Sequence, residues 1–385
     1  MPHYQSVLRS KLPTVQQSIF SKMTKLALEH QAVNLSQGFP DFDCDVVLKE
    51  LVDKYIKNGF NQYAPMEGVY NLRQAISDKI SSLYGTTYDP KDEITITAGA
   101  TQALFTIFSA FVTEGDEVII LEPAYDSYAP GIFVNGGIPV HIPLDPVTFD
   151  YDWEWVKRSI NQRTKMIVIN SPHNPSGKMF TQKDLDELNR LTKNNDIIIV
   201  SDEVYEHITF DGRKHLSLAA HPEMCNKTLV VSSFGKTYHT TGWKLGYVAG
   251  PAELMNEFRK VHQFNVFSCT TPMQYAYSEI LKRDEMFLGL PEFYQQKRDY
   301  FVEAMKQTQF RLTPAEGTYF QLVNYEGLSD IGDVAFAEWL TKEIGVAAIP
   351  LSPFYQKNPN LKWIRFCFAK NNETIDKAVA RLCKI

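Results

Sequence analysis

The chain has 385 residues, of which 44% are hydrophobic and 22% charged, with a formal net charge of −6. That length suffices for two domains of ordinary size, or one large α/β domain with a smaller companion, and the composition is that of a globular enzyme. The acidic balance and the absence of Lys/Arg runs argue against a nucleic-acid-binding or anionic-membrane surface.

Taken from the start, Ile19, Met23, Leu26 and Ala27 recur at helical spacing, and SQGFPDF then marks a turn at Gly38 and Pro40. A second helix is expected over 46–56, stopped by Asn58-Gly59. The loop 61–67 carries Tyr63, whose spacing favours a packing role, and precedes an amphipathic stretch over 68–84. From residue 94 the chain alternates regularly. Apolar runs of strand length recur at 94–97, 118–121, 139–142, 166–170, 197–200, 229–232 and 245–249, several of them separated by helical segments such as 101–112 and 182–192. Such a pattern predicts an α/β fold with a mostly parallel seven-stranded sheet covered on both faces.

Beyond about residue 285 the pattern becomes a smaller α+β unit. Val334, Ala337, Leu340 and Ile344 line a helix that stops at Gly345, and Ile375, Val379 and Leu382 line a last one. Between them lies a strand over 362–368, in which Ile364, Phe366 and Phe368 alternate with Trp363, Arg365 and Cys367. Arg365 is therefore expected to face away from the phenylalanines, and a surface cation is the simplest reading of it. The five cysteines are odd in number and lack CxxC spacing, which reads as free thiols in a reducing compartment, with no metal site. The opening MPHYQSVLRSKLPT lacks the apolar core of a signal peptide, and 103–112 is too short for a bilayer, so a soluble cytoplasmic protein is expected.

Ligands of open parallel sheets bind outside the carboxyl ends of the strands, so the residues just after each run matter. After the first run, AGATQALF opens a helix with the N–H groups of Gly99, Ala100 and Thr101, where an anion is favoured. EPAYDSY then brings Tyr125, SPHNPSGK brings Asn174, and SDEVYE brings Asp202 and Tyr205. The stretch 232–247, SSFGKTYHTTGWKLGY, adds Ser233, Lys236 and Lys244 among small residues that allow close approach to a ligand. Most lysines are simply solvated, but one desolvated in such a turn becomes a nucleophilic amine able to form an imine. A planar aromatic aldehyde bearing a phosphate, pyridoxal 5'-phosphate, matches this set. Lys236 would meet the aldehyde, Asp202 the ring nitrogen, Asn174 and Tyr205 the ring oxygen, and Tyr125 the ring face. The 99–101 amides, Ser233 and Lys244 would hold the phosphate.

NPSG, SDEVY and SSFGKTYHTTGWKLGY resemble the class I aminotransferases of the fold-type I pyridoxal-phosphate family. SQGFPDF, NQYAPMEG, TAGATQALF, EGTYF and IRFCFAK are closer still to its methionine and kynurenine–glutamine aminotransferase group. The resemblance runs from about residue 13 to the C-terminus. It implies an N-terminal arm over 1–17, a small domain from 18–42 plus 285–385, and a large cofactor-binding domain over 43–284. It also implies that Lys236 is the Schiff-base lysine and Asp202 the partner of the ring nitrogen, with Lys244 standing where many relatives have arginine. A homodimer with shared active sites is implied, in which Tyr63 reaches the other subunit's phosphate and Phe267 and Ser268 line its pocket. Arg365 then becomes the grip on the substrate α-carboxylate, helped by Asn174 and the Gly38 backbone. That grip leaves the Cα–H bond perpendicular to the ring, and Lys236, freed as an amine, moves its proton as base and then acid.

Nothing in the sequence supplies a second arginine for a dicarboxylate side chain, while Ile19, Tyr63, Tyr125, Phe267 and Phe354 would give the pocket apolar or aromatic walls. L-Methionine is the expected amino donor and a 2-oxo acid the acceptor. Phenylalanine, tyrosine, leucine, glutamine or kynurenine are expected as further donors, since such a pocket discriminates by only about 1–3 kcal/mol per methylene. A kynurenine/glutamine aminotransferase or a cysteine-conjugate β-lyase on the same scaffold is the alternative.

Overall fold

The computed structural model of the protein describes residues 8–13, 15 and 17–385, so the arm expected over 1–17 lies partly outside the described residues. Helix α1 (Ile19–Glu29) buries Ile19, Met23 and Ala27 and leads into the short strand β1 (Val33–Asn34). Helix α2 (Val46–Lys57) starts at Asp45, whose side chain accepts from the Val47 N–H, and buries Leu48 and Leu51. Helix α3 (Tyr70–Tyr84) ends at Gly85 in the left-handed conformation, which a glycine adopts without a Cβ clash.

The seven apolar runs form one sheet: β2 (Ile94–Thr97), β3 (Glu117–Glu122), β4 (Ile138–Pro143), β5 (Thr164–Asn170), β6 (Ile198–Asp202), β7 (Thr228–Ser233) and β8 (Gly246–Ala249). Their spatial order is β2-β8-β7-β6-β5-β3-β4. Strands β2, β3, β6 and β8 are buried along their whole length, as the continuous apolar runs predict, whereas β4 at the edge is only partly covered. Pairing is parallel throughout except at β8, which runs antiparallel to both β2 and β7. The order turns back between β3 and β5, which opens a crevice beyond the carboxyl ends of those strands. Because β8 is reversed, its amino end reaches the same edge. Gly246 pairs with both Thr97 and Ser233, and this register brings Lys244 beside the start of α4 (Ala100–Phe111).

Further along, β9 (Phe320–Asn324), β10 (Val346–Ala347), β11 (Ile349–Pro350) and β12 (Trp363–Cys367) build two small sheets. β10 pairs with β1, and β12 lies between β11 and β9 with Arg365 opposite Leu322 and Ile349. The alternation read in 362–368 holds, but both of its faces are covered. Ile364, Phe366 and Phe368 are fully buried, and so is Cys367 on the other side, while Arg365 retains 1% of its exposure. Arg365 is therefore no surface cation: the rings of Phe320, Phe20 and Phe354 stand 3.8, 5.3 and 5.7 Å from its guanidinium, covering the side chain that sequence alone assigns to solvent. One apolar core joins this unit to the large sheet, running from Ile119, Ile167 and Ile199 to Leu322, Ile364 and Phe366. The helix expected over 334–344 forms as Asp333–Trp339 followed by a π turn over Leu340–Ile344, capped by Gly345. Among the described residues, no helix is long and apolar enough to cross a membrane.

A buried ion pair ties α3 to the strand ends. Lys79 Nζ lies 2.6 Å from Glu206 Oε1, which also accepts from Ser232 Oγ at 2.8 Å, while Glu206 Oε2 accepts from Tyr84 at 2.7 Å. Burial works against this carboxylate, yet Lys79 and the surrounding donors hold its pKa below the usual range. Lys79→Met would strand the charge and is expected to cost about 3–5 kcal/mol of unfolding free energy, measured by denaturant titration. Lys79→Met/Glu206→Gln should recover part of that loss, and equal stability of Lys79→Met and parent would contradict the assignment.

Candidate active site

The crevice beyond β3, β5, β6 and β7 is a cavity of about 320 Å³, closed on one side by α1, β9 and β12. Gly38, Gly99, Ala100, Thr101, Tyr125, Asn174, Asp202, Tyr205, Ser233, Lys236, Lys244 and Arg365 all line it. Five residues named from the sequence do not, among them Ser268, which lies outside it beside Phe267. Ile19 packs into the core, and its neighbour Phe20 lines the cavity in its place. Tyr63 and Phe267 lie outside it with 80% and 58% exposure, their rings edge to face at 5.0 Å. The packing role that spacing suggests for Tyr63 thus has little to pack against within this chain. Phe354 stands behind Arg365, its ring 5.7 Å from the guanidinium, and does not reach the cavity wall.

At the large-sheet wall, Gly99 adopts φ +80° and turns β2 into α4, and a Cβ there would sit 3.5 Å from Lys244 Nζ. Lys244 itself is in the left-handed region at φ 53°, a conformation that costs a non-glycine residue and tends to persist at functional sites. Among the described residues its ammonium has no ion-pair or hydrogen-bond partner. Lys244 is exposed, and an ammonium beside the first N–H groups of a helix favours an anion there.

Asp202 ends β6 and is 4% exposed. Its Oδ2 accepts from the Tyr128 phenol at 2.6 Å, and burial raises its pKa to about 6 against the pull of that bond. Asn170 closes the corner: its Nδ2 donates to the Asp202 carbonyl at 2.9 Å and its Oδ1 accepts from the Asn174 N–H at 2.8 Å. Tyr125 stands edge-on to Tyr128 and its hydroxyl lies 3.3 Å from Thr101 Oγ1.

Lys236 Nζ donates to the Tyr319 hydroxyl at 2.8 Å and to the Gly38 carbonyl at 3.1 Å. Burial lowers its pKa to about 8, with repulsion from Arg365 and Lys244 adding to the effect. Arg365 comes from β12. Its Nη1 donates to Asn174 Oδ1 at 2.6 Å, Nη2 makes a long 3.3 Å contact to the Ser36 carbonyl, and the guanidinium lies over the Phe320 ring at 3.8 Å. Its Nε is buried with no partner, and no carboxylate lies within 4 Å among the described residues. A buried cation with spare donors and Asp126 as only a distant counter-charge favours a second anion, and its planar fork suits a carboxylate. The arrangement therefore offers two anion subsites on different walls, with a carboxylate and a weakly basic amine lining the same cavity.

The sequence family described as aminotransferase class I and II matches residues 30–382. The methionine aminotransferase of Escherichia coli K12 is 48% identical over 97% of both chains, and kynurenine–oxoglutarate transaminase 1 of Rattus norvegicus is 34% identical over 97% of both. The crystal structure of YbdL from Escherichia coli, whose reactivity identifies a methionine aminotransferase function, superposes with a TM-score of 0.96 at 47% identity, covering 99% of this chain and 100% of that one. The chain belongs to the class I and II aminotransferases.

For a chain of this family, several residues that line or support the cavity escape a reading by motif. Tyr128 follows Tyr125 by three residues and opens the next helix, and that closeness in sequence is the one local signal for it. Phe20 and Thr24 share one face of α1, and Gln37 Nε2 donates to Thr24 Oγ1 at 2.6 Å to fix that wall. Tyr319 and Phe320 belong to EGTYF, where nothing local marks the phenol as a partner of Lys236.

In the ligand-free aminotransferase, competitive acylation of Lys236 is expected to rise with a midpoint near pH 8, because only the unprotonated amine reacts. A midpoint at the ordinary lysine value of 10.5 would contradict the desolvation of this amine.

Proposed function

We propose that this aminotransferase uses pyridoxal 5'-phosphate to move the amino group of L-methionine to a 2-oxo acid. The residues present fit that cofactor. The anion subsite of Gly99, Ala100, Thr101, Ser233 and Lys244 suits the phosphate, Asp202 braced by Tyr128 suits the ring nitrogen, and Asn174 with Tyr205 suits the ring oxygen. Tyr125 would cover the ring face, and the amine of Lys236 is the group that would meet the aldehyde. When bound, the cofactor supplies an electron-withdrawing ring and an aldehyde carbon that can carry an amino group.

The chain's own residues account for the rest. Arg365 binds the substrate α-carboxylate through its spare donors, and Asn174, already hydrogen-bonded to that guanidinium, fixes its plane. The Cα–H bond is thereby aimed at Lys236, whose lowered pKa leaves a useful fraction of free amine near neutrality to take the proton and later return it. Phe20, Phe39 and Tyr125 supply an aromatic wall, which suits a thioether side chain. The observation that carries the reading is the buried, unpaired guanidinium of Arg365 in the same cavity as Lys236, joined to 48% identity with a methionine aminotransferase.

The same reading takes the protein as a cytoplasmic homodimer, with no nucleic-acid or membrane partner. Tyr63 and Phe267, 80% and 58% accessible and edge to face at 5.0 Å, form an exposed aromatic pair of the kind that a second copy would cover. Tyr63 and Phe267 would then complete the partner's pocket. Residues 43–284 would form the cofactor-binding domain, and 18–42 with 285–385 the smaller one.

Two outcomes test the proposal. The purified protein should carry a visible absorption band that gives way to a near-ultraviolet band on adding L-methionine without any oxo acid, and Lys236→Ala should lack the visible band. A band that methionine leaves unmoved would overturn the substrate. Arg365→Lys should lose about 10²-fold or more in kcat/KM for methionine, since a point charge cannot reproduce the fork.

A further inference from the structure

Among the described residues, Tyr319 is the one hydrogen-bond partner of the Lys236 amine that does not line the cavity. It is fully buried, edge-on to Tyr205 at 5.3 Å, and its hydroxyl donates to the Gly38 carbonyl at 2.6 Å. With its proton committed to Gly38, the phenol oxygen can only accept from Lys236, at 2.8 Å, while the same carbonyl accepts a second N–H of Nζ at 3.1 Å.

The backbone that delivers this phenol is strained. Thr318 adopts φ 65°, a true outlier for a β-branched residue, and is fully buried. Its N–H is held by the Ile208 carbonyl at 2.9 Å, and a Cβ on the preceding Gly317 would stand 2.7 Å from Pro172. Strain of this kind persists where the surroundings over-determine it, and it clusters at functional sites. Here it sets one side chain, Tyr319, against one amine.

We propose that Tyr319 and the Gly38 carbonyl form a dock for the free amine of Lys236, making Tyr319 a further catalytic residue of the proton transfer. The inference rests on the reading of Lys236 as the proton carrier. A neutral amine has two N–H donors and one lone pair. The dock takes both donors, so the lone pair occupies the only position not committed to the protein. When the substrate Cα–H bond breaks, its electron pair stays with the substrate and the proton forms the third N–H bond of Nζ at that position. The same N–H bond breaks when the proton is returned. Without the dock, a long flexible side chain would present its lone pair in many directions.

Tyr319→Phe removes the acceptor and keeps the ring. The variant is expected to keep the visible band and a KM for methionine within about threefold of the parent, while the methionine half-reaction slows by about tenfold or more. Deuterium at Cα of methionine should slow that half-reaction more in the variant than in the parent, a change that a merely structural ring would not produce. In the cofactor-free protein, the acylation midpoint of Lys236 should move to lower pH, because the protonated amine has lost an acceptor. A variant with parental rate, isotope effect and midpoint overturns the dock alone. A parent protein with no visible band overturns the reading of Lys236, and the dock with it. Should Tyr319→Phe fail to fold, 3-fluorotyrosine at position 319 keeps the hydroxyl and weakens it as an acceptor; an unmoved midpoint then overturns the proposal.

Discussion

A guanidinium buried to 1% exposure and in no ion pair among the described residues is the constraint on which the cavity depends. Taking such a charge out of water costs several kcal/mol, and only excellent local geometry offsets it. One short bond to Asn174, a long one to Ser36 and the face of Phe320 offset part of that cost, and the unpartnered Nε leaves the remainder open to an anion. The same positive field acts on Lys236, which burial already pushes toward its neutral form. Two cations in one cavity thus favour an anion there and help to lower the pKa of the Lys236 amine.

Holding like charges together requires a frame that cannot relax. The parallel strands supply it by ending at one edge, and the reversed β8 adds Lys244 to that edge through the pairing of Gly246 with Ser233 and Thr97. Behind that edge, the Lys79–Glu206 pair binds α3 to the segment carrying Asp202 and Tyr205, and Ser232 joins it from β7. Two residues near that edge, Lys244 and Thr318, hold a positive φ, and burial on every side fixes the conformation of Thr318.

Much of this was legible in the sequence. Asn174, Asp202, Tyr205, Ser233 and Lys236 come at or just after apolar runs that could only be buried parallel strands, and a parallel sheet delivers its strand-end residues to one edge. Arg365 was legible as to its side of β12 but not as to its burial, because alternation gives a face and says nothing of the elements that cover it. Ile19 and Phe20 differ by one residue, about 100° of helix rotation, and only the packing of α1 decides which of them meets the cavity. Tyr128, Tyr319 and Asn170 act through bonds to residues 32 to 83 positions away, and no local pattern encodes those contacts.

By itself, then, the sequence determined the strands, their order of use along the chain and the chemistry waiting at their ends, since periodicity and strand-end residues are local properties. The tertiary structure alone decided that Arg365 is buried, that the amine of Lys236 rests on Tyr319 and the Gly38 carbonyl, and that Tyr63 and Phe267 lie outside this chain's cavity. These are matters of distance and desolvation between segments up to about 330 residues apart, and they come into being only when α1, β9 and β12 close over the edge of the large sheet.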